Sequence, residues 1–114
     1  MKPMITTHIL DTSRGRPAGA VTVNLYRDSD VDLSGPIATG VTDVDGRVTQ
    51  WDSNVERLVG SYRLEFDVGS YFSGIGESSF YSELQIAFKV VDDSEHYHVP
   101  LLLNPFGYST YRGS

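Results

Sequence analysis

The feature that most restricts this chain is a period-two alternation of apolar and polar residues, repeated along most of its length. Val21, Val23 and Leu25 fall on one side, with Thr22, Asn24 and Tyr26 on the other. Tyr62, Leu64, Phe66 and Val68 alternate with Arg63, Glu65 and Asp67. Leu84, Ile86, Phe88 and Val90 form a third such face, and Tyr97, Val99, Leu101 and Leu103 a fourth. Shorter stretches of the same kind cover 5–10, 37–42, 47–50 and 108–112. Successive side chains of a strand point to opposite faces, so this pattern predicts half-buried strands. Roughly eight short strands between turn signals predict an all-β sandwich or barrel.

The turn chemistry fits. Asp45-Gly46 predicts a tight hairpin between its flanking strands. Residues 14–19 and Asn104-Pro105-Phe106-Gly107 are breaker-rich loops. Asp52 or Ser53 can cap a short helical turn carrying Val55, Leu58 and Val59, and residues 70–82 have room for one short helix. With no linker, repeat or low-complexity stretch, the 114 residues are expected to form a single domain, 1–114.

Composition removes whole classes of chemistry. There is no cysteine, which excludes a disulfide scaffold, a thiol nucleophile and a cysteine zinc site. Nine basic against 15 acidic residues give a net charge of −6, and no Lys/Arg run exists. A nucleic-acid or anionic-membrane partner is therefore not expected. No stretch is long and apolar enough to cross a bilayer. The opening Met1-Lys2-Pro3-Met4-Ile5-Thr6 lacks the apolar region of a secretory signal, so the expected location is cytoplasmic, or periplasmic only if a leader was removed.

Few side chains remain for chemistry near neutral pH. The three histidines are His8, His96 and His98. His8 shares a strand face with Thr6 and Leu10, and its ordinary reading is a half-buried residue bonded to a neighbour. His96-Tyr97-His98 puts two imidazoles on one face, a spacing that suits a metal or a base with its partner. In the ordinary reading His96 is solvated at a strand start and only His98 points inward. Pro100 lacks a backbone donor, which predicts an edge or irregular strand there. Arg47, after the Asp45-Gly46 turn, is either a surface arginine or a clamp for developing negative charge. Tyr108-Ser109-Thr110-Tyr111-Arg112-Gly113-Ser114 reads as a continuing strand, and Ser114 brings a hydroxyl and a terminal carboxylate. Such a tail is expected to be packed against something.

Four motifs, in order, carry a family resemblance over about residues 4–114. Thr6-Thr7-His8-Ile9-Leu10-Asp11-Thr12 with Arg14-Gly15-Arg16-Pro17-Ala18 resembles the opening motif of the transthyretin-like 5-hydroxyisourate hydrolases. Val44-Asp45-Gly46-Arg47, His96-Tyr97-His98-Val99-Pro100-Leu101-Leu102 and the final Tyr111-Arg112-Gly113-Ser114 resemble three further motifs of that family. Asn104 departs from the family's more frequent serine, and residues 70–82 are glycine-rich and hard to align.

The resemblance implies a transthyretin-like (prealbumin-like) sandwich of two four-stranded sheets with one short helix. It implies hydrolysis of 5-hydroxyisourate, a step of urate breakdown, with no metal and no cofactor. It also implies a homotetramer, a dimer of dimers with active sites where dimers meet. Carried over residue by residue, His8, Arg47, His98 and Ser114 become catalytic candidates. His8, Arg47, Tyr111, Arg112 and Gly113 become substrate-binding candidates, and His96 is left out. No peroxisomal ending is present, which points to a bacterial cytoplasmic enzyme. Three other readings compete. A non-catalytic small-molecule carrier on the same sandwich would not need His8, Arg47, His98 and the tail as a set. A three-histidine zinc hydrolase of His8, His96 and His98 would leave Arg47 without a task. An immunoglobulin-like adhesion sandwich explains the strands but not the motifs.

Overall fold

The alternation becomes nine strands and one helix in a computed structural model that describes residues 3–28 and 35–114. Met1 and Lys2 of the N-terminal segment lie outside the described residues. The elements are β1 (Ile5–Asp11), β2 (Arg16–Pro17), β3 (Thr22–Arg27), β4 (Ala38–Val41), β5 (Arg47–Val48), β6 (Gly60–Phe66), α1 (Val68–Gly74), β7 (Leu84–Val90), β8 (Tyr97–Asn104) and β9 (Gly107–Thr110). One sheet runs β4-β3-β6-β7; the other runs β2-β1-β8-β9, with β5 also on β1. β2 pairs with Leu10 and Asp11, whereas β5 pairs with Thr7 and His8. The two short strands thus lie end to end along one edge, and each sheet has four rows. All pairs are antiparallel except β1 with β8.

The core forms where the predicted apolar faces meet. Val21, Val23, Leu25, Tyr62, Leu64 and Phe66 from one sheet pack toward Ile5, Ile9, Tyr97, Val99, Leu101 and Leu103 from the other, all of them buried. In β7 only Leu84 and Val90 are buried, because this strand has no neighbour on its far side.

Several local expectations change. Residues 14–19 are not all loop, since Arg16 and Pro17 pair with β1. No helix forms at 52–59. The helix is α1, capped by Asp67, whose carboxylate accepts the Ser70 amide at 3.3 Å. Val68 is buried as its alternation suggests, but as the first residue of α1 and not as the end of β6.

Asp45-Gly46 makes a tight turn, with the Gly46 amide on the Asp43 carbonyl at 2.9 Å and the Asp43 amide on the Arg47 carbonyl at 3.0 Å. It is not a hairpin between paired strands, because β4 and β5 belong to different sheets. The turn is docked on β1: the Ile9 amide reaches the Gly46 carbonyl at 2.7 Å. Gly46 has φ +75°, and a Cβ there would lie 2.4 Å from the Ile9 carbonyl oxygen, so only glycine fits.

Pro100 sits in a central strand, between β1 and β9, and not at an edge. Its missing donor faces the one place where the second neighbour is interrupted. The ladder of β8 with β9 stops at Leu101–Thr110 and resumes as a single bridge at His98–Gly113, in the same register. The gap falls opposite Tyr111, where an antiparallel ladder would call on the Pro100 N–H. The Pro100 carbonyl instead accepts the Thr110 hydroxyl at 2.7 Å. Asn104 turns the chain into β9 by accepting the Phe106 amide at 2.9 Å.

A buried carboxylate ties α1 to β1. Tyr71 donates its hydroxyl to Asp11 Oδ2 at 2.6 Å, and Ser13 donates to Asp11 Oδ1 at 2.6 Å. Burial alone would raise the Asp11 pKa; bonds from Ser13, Tyr71 and the Arg14 and Ser13 amides more than offset this and lower it. Burial, with the bond to Asp11, pushes the Tyr71 phenol up to about 12. A depressed folded pKa contributes stability above the ordinary aspartate range, and that stability is lost as pH falls through the folded value. Tyr71→Phe should therefore cost about 1.5–3 kcal/mol at pH 7, and less in acid once Asp11 is protonated. Urea unfolding at pH 7 and pH 3 checks this; an equal cost at both would show that the charge is not involved.

The tail supplies a second test. The Gly113 amide donates to the His98 carbonyl at 2.8 Å, and a Cβ on Gly113 would lie 2.8 Å from His98 Cδ2. The residue-113 amide should exchange slowly in the wild type and quickly in Gly113→Ala, with little change in the unfolding midpoint. Slow exchange in both would mean that the tail accommodates the methyl group.

Candidate active site

The parallel pairing of β1 with β8 builds the site. Its register sets Thr6 beside His98 and His8 beside Pro100, with the core-facing residues lying between them. Residues of even number in both strands point away from the core, toward a common outer surface. There the Thr6 hydroxyl lies 2.9 Å from His96 Nε2 and 2.8 Å from His98 Nδ1. The His8 and His98 rings are stacked at 6.4 Å with planes 27° apart, and those of His96 and His98 at 6.2 Å and 21°. All three imidazoles are half-buried.

Two flanking segments complete the arrangement. β5 sets Arg47 opposite His8. The Arg47 backbone is held by the Asp43 carboxylate, which accepts its amide at 3.0 Å, while the guanidinium side chain is exposed. On the other side, the tail lies along β8 and presents Ser114. The resulting cleft encloses about 140 Å³ and is lined by Thr6, Arg47, Thr49, His96, His98 and Ser114, among others. Among the described residues no aspartate or glutamate lines it. A wider recess of about 960 Å³ lies alongside, around Trp51, Asp52 and Glu56, and has no histidine.

Of the residues singled out from sequence, the cleft gathers Arg47, His98 and Ser114. His8 stands at its margin through its pairing with Arg47 and its ring contact with His98. Gly113 contributes its backbone. Arg112 is turned away: its guanidinium lies 4.4 Å over the ring of Tyr97, a core-facing residue, and reaches Glu95 and the His96 carbonyl. Tyr111 is 59% exposed and does not line the cleft of a single chain.

His96 departs from its ordinary reading. It lines the same cleft as His98, and both lie on the outward face, since Tyr97 and Val99 are the residues that point inward. Thr6 was missed altogether. Its shared face with His8 was legible, but its contact with β8 was not. Among the described residues no three histidine, aspartate or glutamate side chains are grouped to hold a metal, and the imidazoles stack rather than converge.

Comparison with known proteins places this geometry. The profile of the HIUase/Transthyretin family matches residues 5–113. A probable 5-hydroxyisourate hydrolase of Schizosaccharomyces pombe is 42% identical over 115 residues, covering 98% of this chain and 92% of the relative. The solved 5-hydroxyisourate hydrolase of Klebsiella pneumoniae is 36% identical and superposes with a TM-score of 0.82 over 100% of both chains. Sea bream transthyretin, solved in complex with thyroxine, is 32% identical with a TM-score of 0.85, covering 96% of this chain and 94% of its own. This chain belongs to the HIUase/Transthyretin family.

Proposed function

We propose that the chain hydrolyses 5-hydroxyisourate, opening its six-membered ring at a C–N amide bond to give 2-oxo-4-hydroxy-4-carboxy-5-ureidoimidazoline. The observation that carries this is the meeting of His8, Arg47, His98 and Ser114, drawn from four separate segments, around one cleft. Full-length relatives named 5-hydroxyisourate hydrolases support an enzyme over a carrier. The transthyretin likeness alone would not, because one sandwich serves both roles.

In the proposed reaction a water oxygen adds to the ring carbonyl carbon, and the C–N bond then breaks. His98 or His8 takes the water's proton, and the other holds the water or protonates the leaving nitrogen. Arg47 stabilises the charge that grows on the carbonyl oxygen. Ser114 and Tyr111 position the ligand. No metal or cofactor is required by these steps.

A cleft of about 140 Å³ is small beside the roughly 300–1,000 Å³ of small-molecule sites. This fits a site completed by a second copy; the likeness to the HIUase/Transthyretin family supports an oligomer, which we propose is a homotetramer with active sites where dimers meet. Tyr111 and Arg112 would contribute to substrate binding only across such a contact or after rearrangement. We assign the enzyme to the cytoplasm.

His98→Ala or His8→Ala should lower turnover by about 10²–10⁴. The assay follows the absorbance decay of freshly generated 5-hydroxyisourate; wild-type decay at the spontaneous rate would sink the hydrolase reading. Residues added after Ser114 should lower activity, whereas the same residues before Met1 should not. Equal activity for the two would place the tail outside the site.

A further inference from the structure

We infer that Thr6 is a positioning residue that couples His98 to His96, so that two imidazoles and one hydroxyl act as a single proton-transfer unit. This inference rests on the hydrolase reading. The neighbouring Thr7 shows what an ordinary strand threonine does here: its hydroxyl is buried and bonded to the Val99 carbonyl at 2.6 Å. Thr6 points the other way and places its hydroxyl on two ring nitrogens, at 2.9 Å and 2.8 Å. Its side chain is shut in, the residue being only 7% exposed.

A hydroxyl has one proton to donate. Between two neutral imidazoles it donates to one and accepts from the other, so their tautomers cannot be chosen independently. If it donates to His96 Nε2, His98 must carry its proton on Nδ1, and His98 Nε2 is then a lone-pair base. If it donates to His98 Nδ1, the His98 proton is on Nε2, and that nitrogen is an acid. The Gly113 backbone lies close to the Cδ2 edge of the same ring, next to Nε2, leaving no room there for a Cβ. With Nδ1 engaged by Thr6, we assign proton exchange with a reactant to Nε2.

The transfer balances. Water gives a proton to His98 Nε2 as its oxygen bonds to the carbonyl carbon. The Nδ1 proton of His98 moves to Thr6, and the Thr6 proton moves to His96 Nε2. His98 ends neutral with its proton on Nε2, poised as an acid for the leaving nitrogen, and the positive charge rests on His96. His96 and His8 flank His98 on opposite sides, and His8 is the one paired with Arg47. The relay thus moves the new positive charge from His98 to His96. Return of the proton along the same path, as the leaving nitrogen is protonated, restores the start.

The test uses Thr6→Val, which keeps the shape and removes the hydroxyl, with Thr6→Ser as the rescue and His96→Ala at a half-exposed position as the second variant. Thr6→Val and His96→Ala should each lower kcat by about 10–100-fold, a typical loss for an orienting partner, with little change in KM. Nitrogen-15 NMR of the histidine rings should show one tautomer of His98 in the wild type and a mixture in both variants. Thr6→Ser should recover kcat and the single tautomer together. Wild-type kcat in either variant, or a fall in kcat with the His98 tautomer unchanged, would overturn the coupling. A wild type without hydrolase activity would remove the reaction but not the ring signatures, so the two failures are distinguishable.

Discussion

The parallel contact between β1 and β8 is the constraint on which the rest of the structure depends. It joins segments more than 80 residues apart in seven consecutive register pairs, from Ile5–Tyr97 to Asp11–Leu103. Bonds at both ends extend it, with the Tyr97 amide on the Met4 carbonyl at 2.7 Å and the Thr12 amide on the Leu103 carbonyl at 2.8 Å. One pairing does two jobs because strand side chains alternate. Ile5, Ile9, Tyr97, Val99 and Leu101 go inward and make the core, while Thr6, His8 and His98 go outward and make the cleft. A slip of one residue would exchange the two sets, burying imidazole and exposing isoleucine. The hydrophobic effect that secures the core thereby also sets the geometry of the cleft.

That division explains what could be read from the chain beforehand. Inward faces were legible because burial imposes a strict period, and the predicted faces of β3, β6 and β8 are the buried ones. Pairing was less legible. Asp45-Gly46 has the local chemistry of a hairpin, and only the assignment of β4 and β5 to different sheets shows that it is a crossover. Pro100 argued for an edge or an irregular strand because its missing donor is a local fact; the strand is central, and the irregularity is a gap opposite Tyr111 in a segment beyond the next turn. Among site residues, His8, Arg47 and His98 were found by chemical type and by family resemblance. The Thr6 contact with His98 spans 92 positions, and no local pattern marks a threonine as the residue between two histidines.

The family contains hydrolases and a thyroxine-complexed transthyretin on closely similar backbones. The core of this chain is indifferent to that choice, since none of its buried apolar side chains supplies a proton or a charge to the cleft. On the function proposed above, the distinction lies in the outward positions of β1 and β8 and in Arg47, whose backbone the Asp43 turn holds beside them. Those positions can change chemistry without disturbing the layers beneath, as expected where a rigid sandwich carries its function on one surface.

The tail crosses the gap at Pro100 without losing register. Its placement is therefore counted in residues and not merely in ångströms. Between Thr110 and Gly113 two residues must intervene, because two separate their partners Leu101 and His98. One residue more or fewer would bring a side chain other than glycine against the imidazole and turn the following position to the opposite face. For the placement of Gly113 against the imidazole, that short stretch is thus held to a fixed number of residues, whatever their kind.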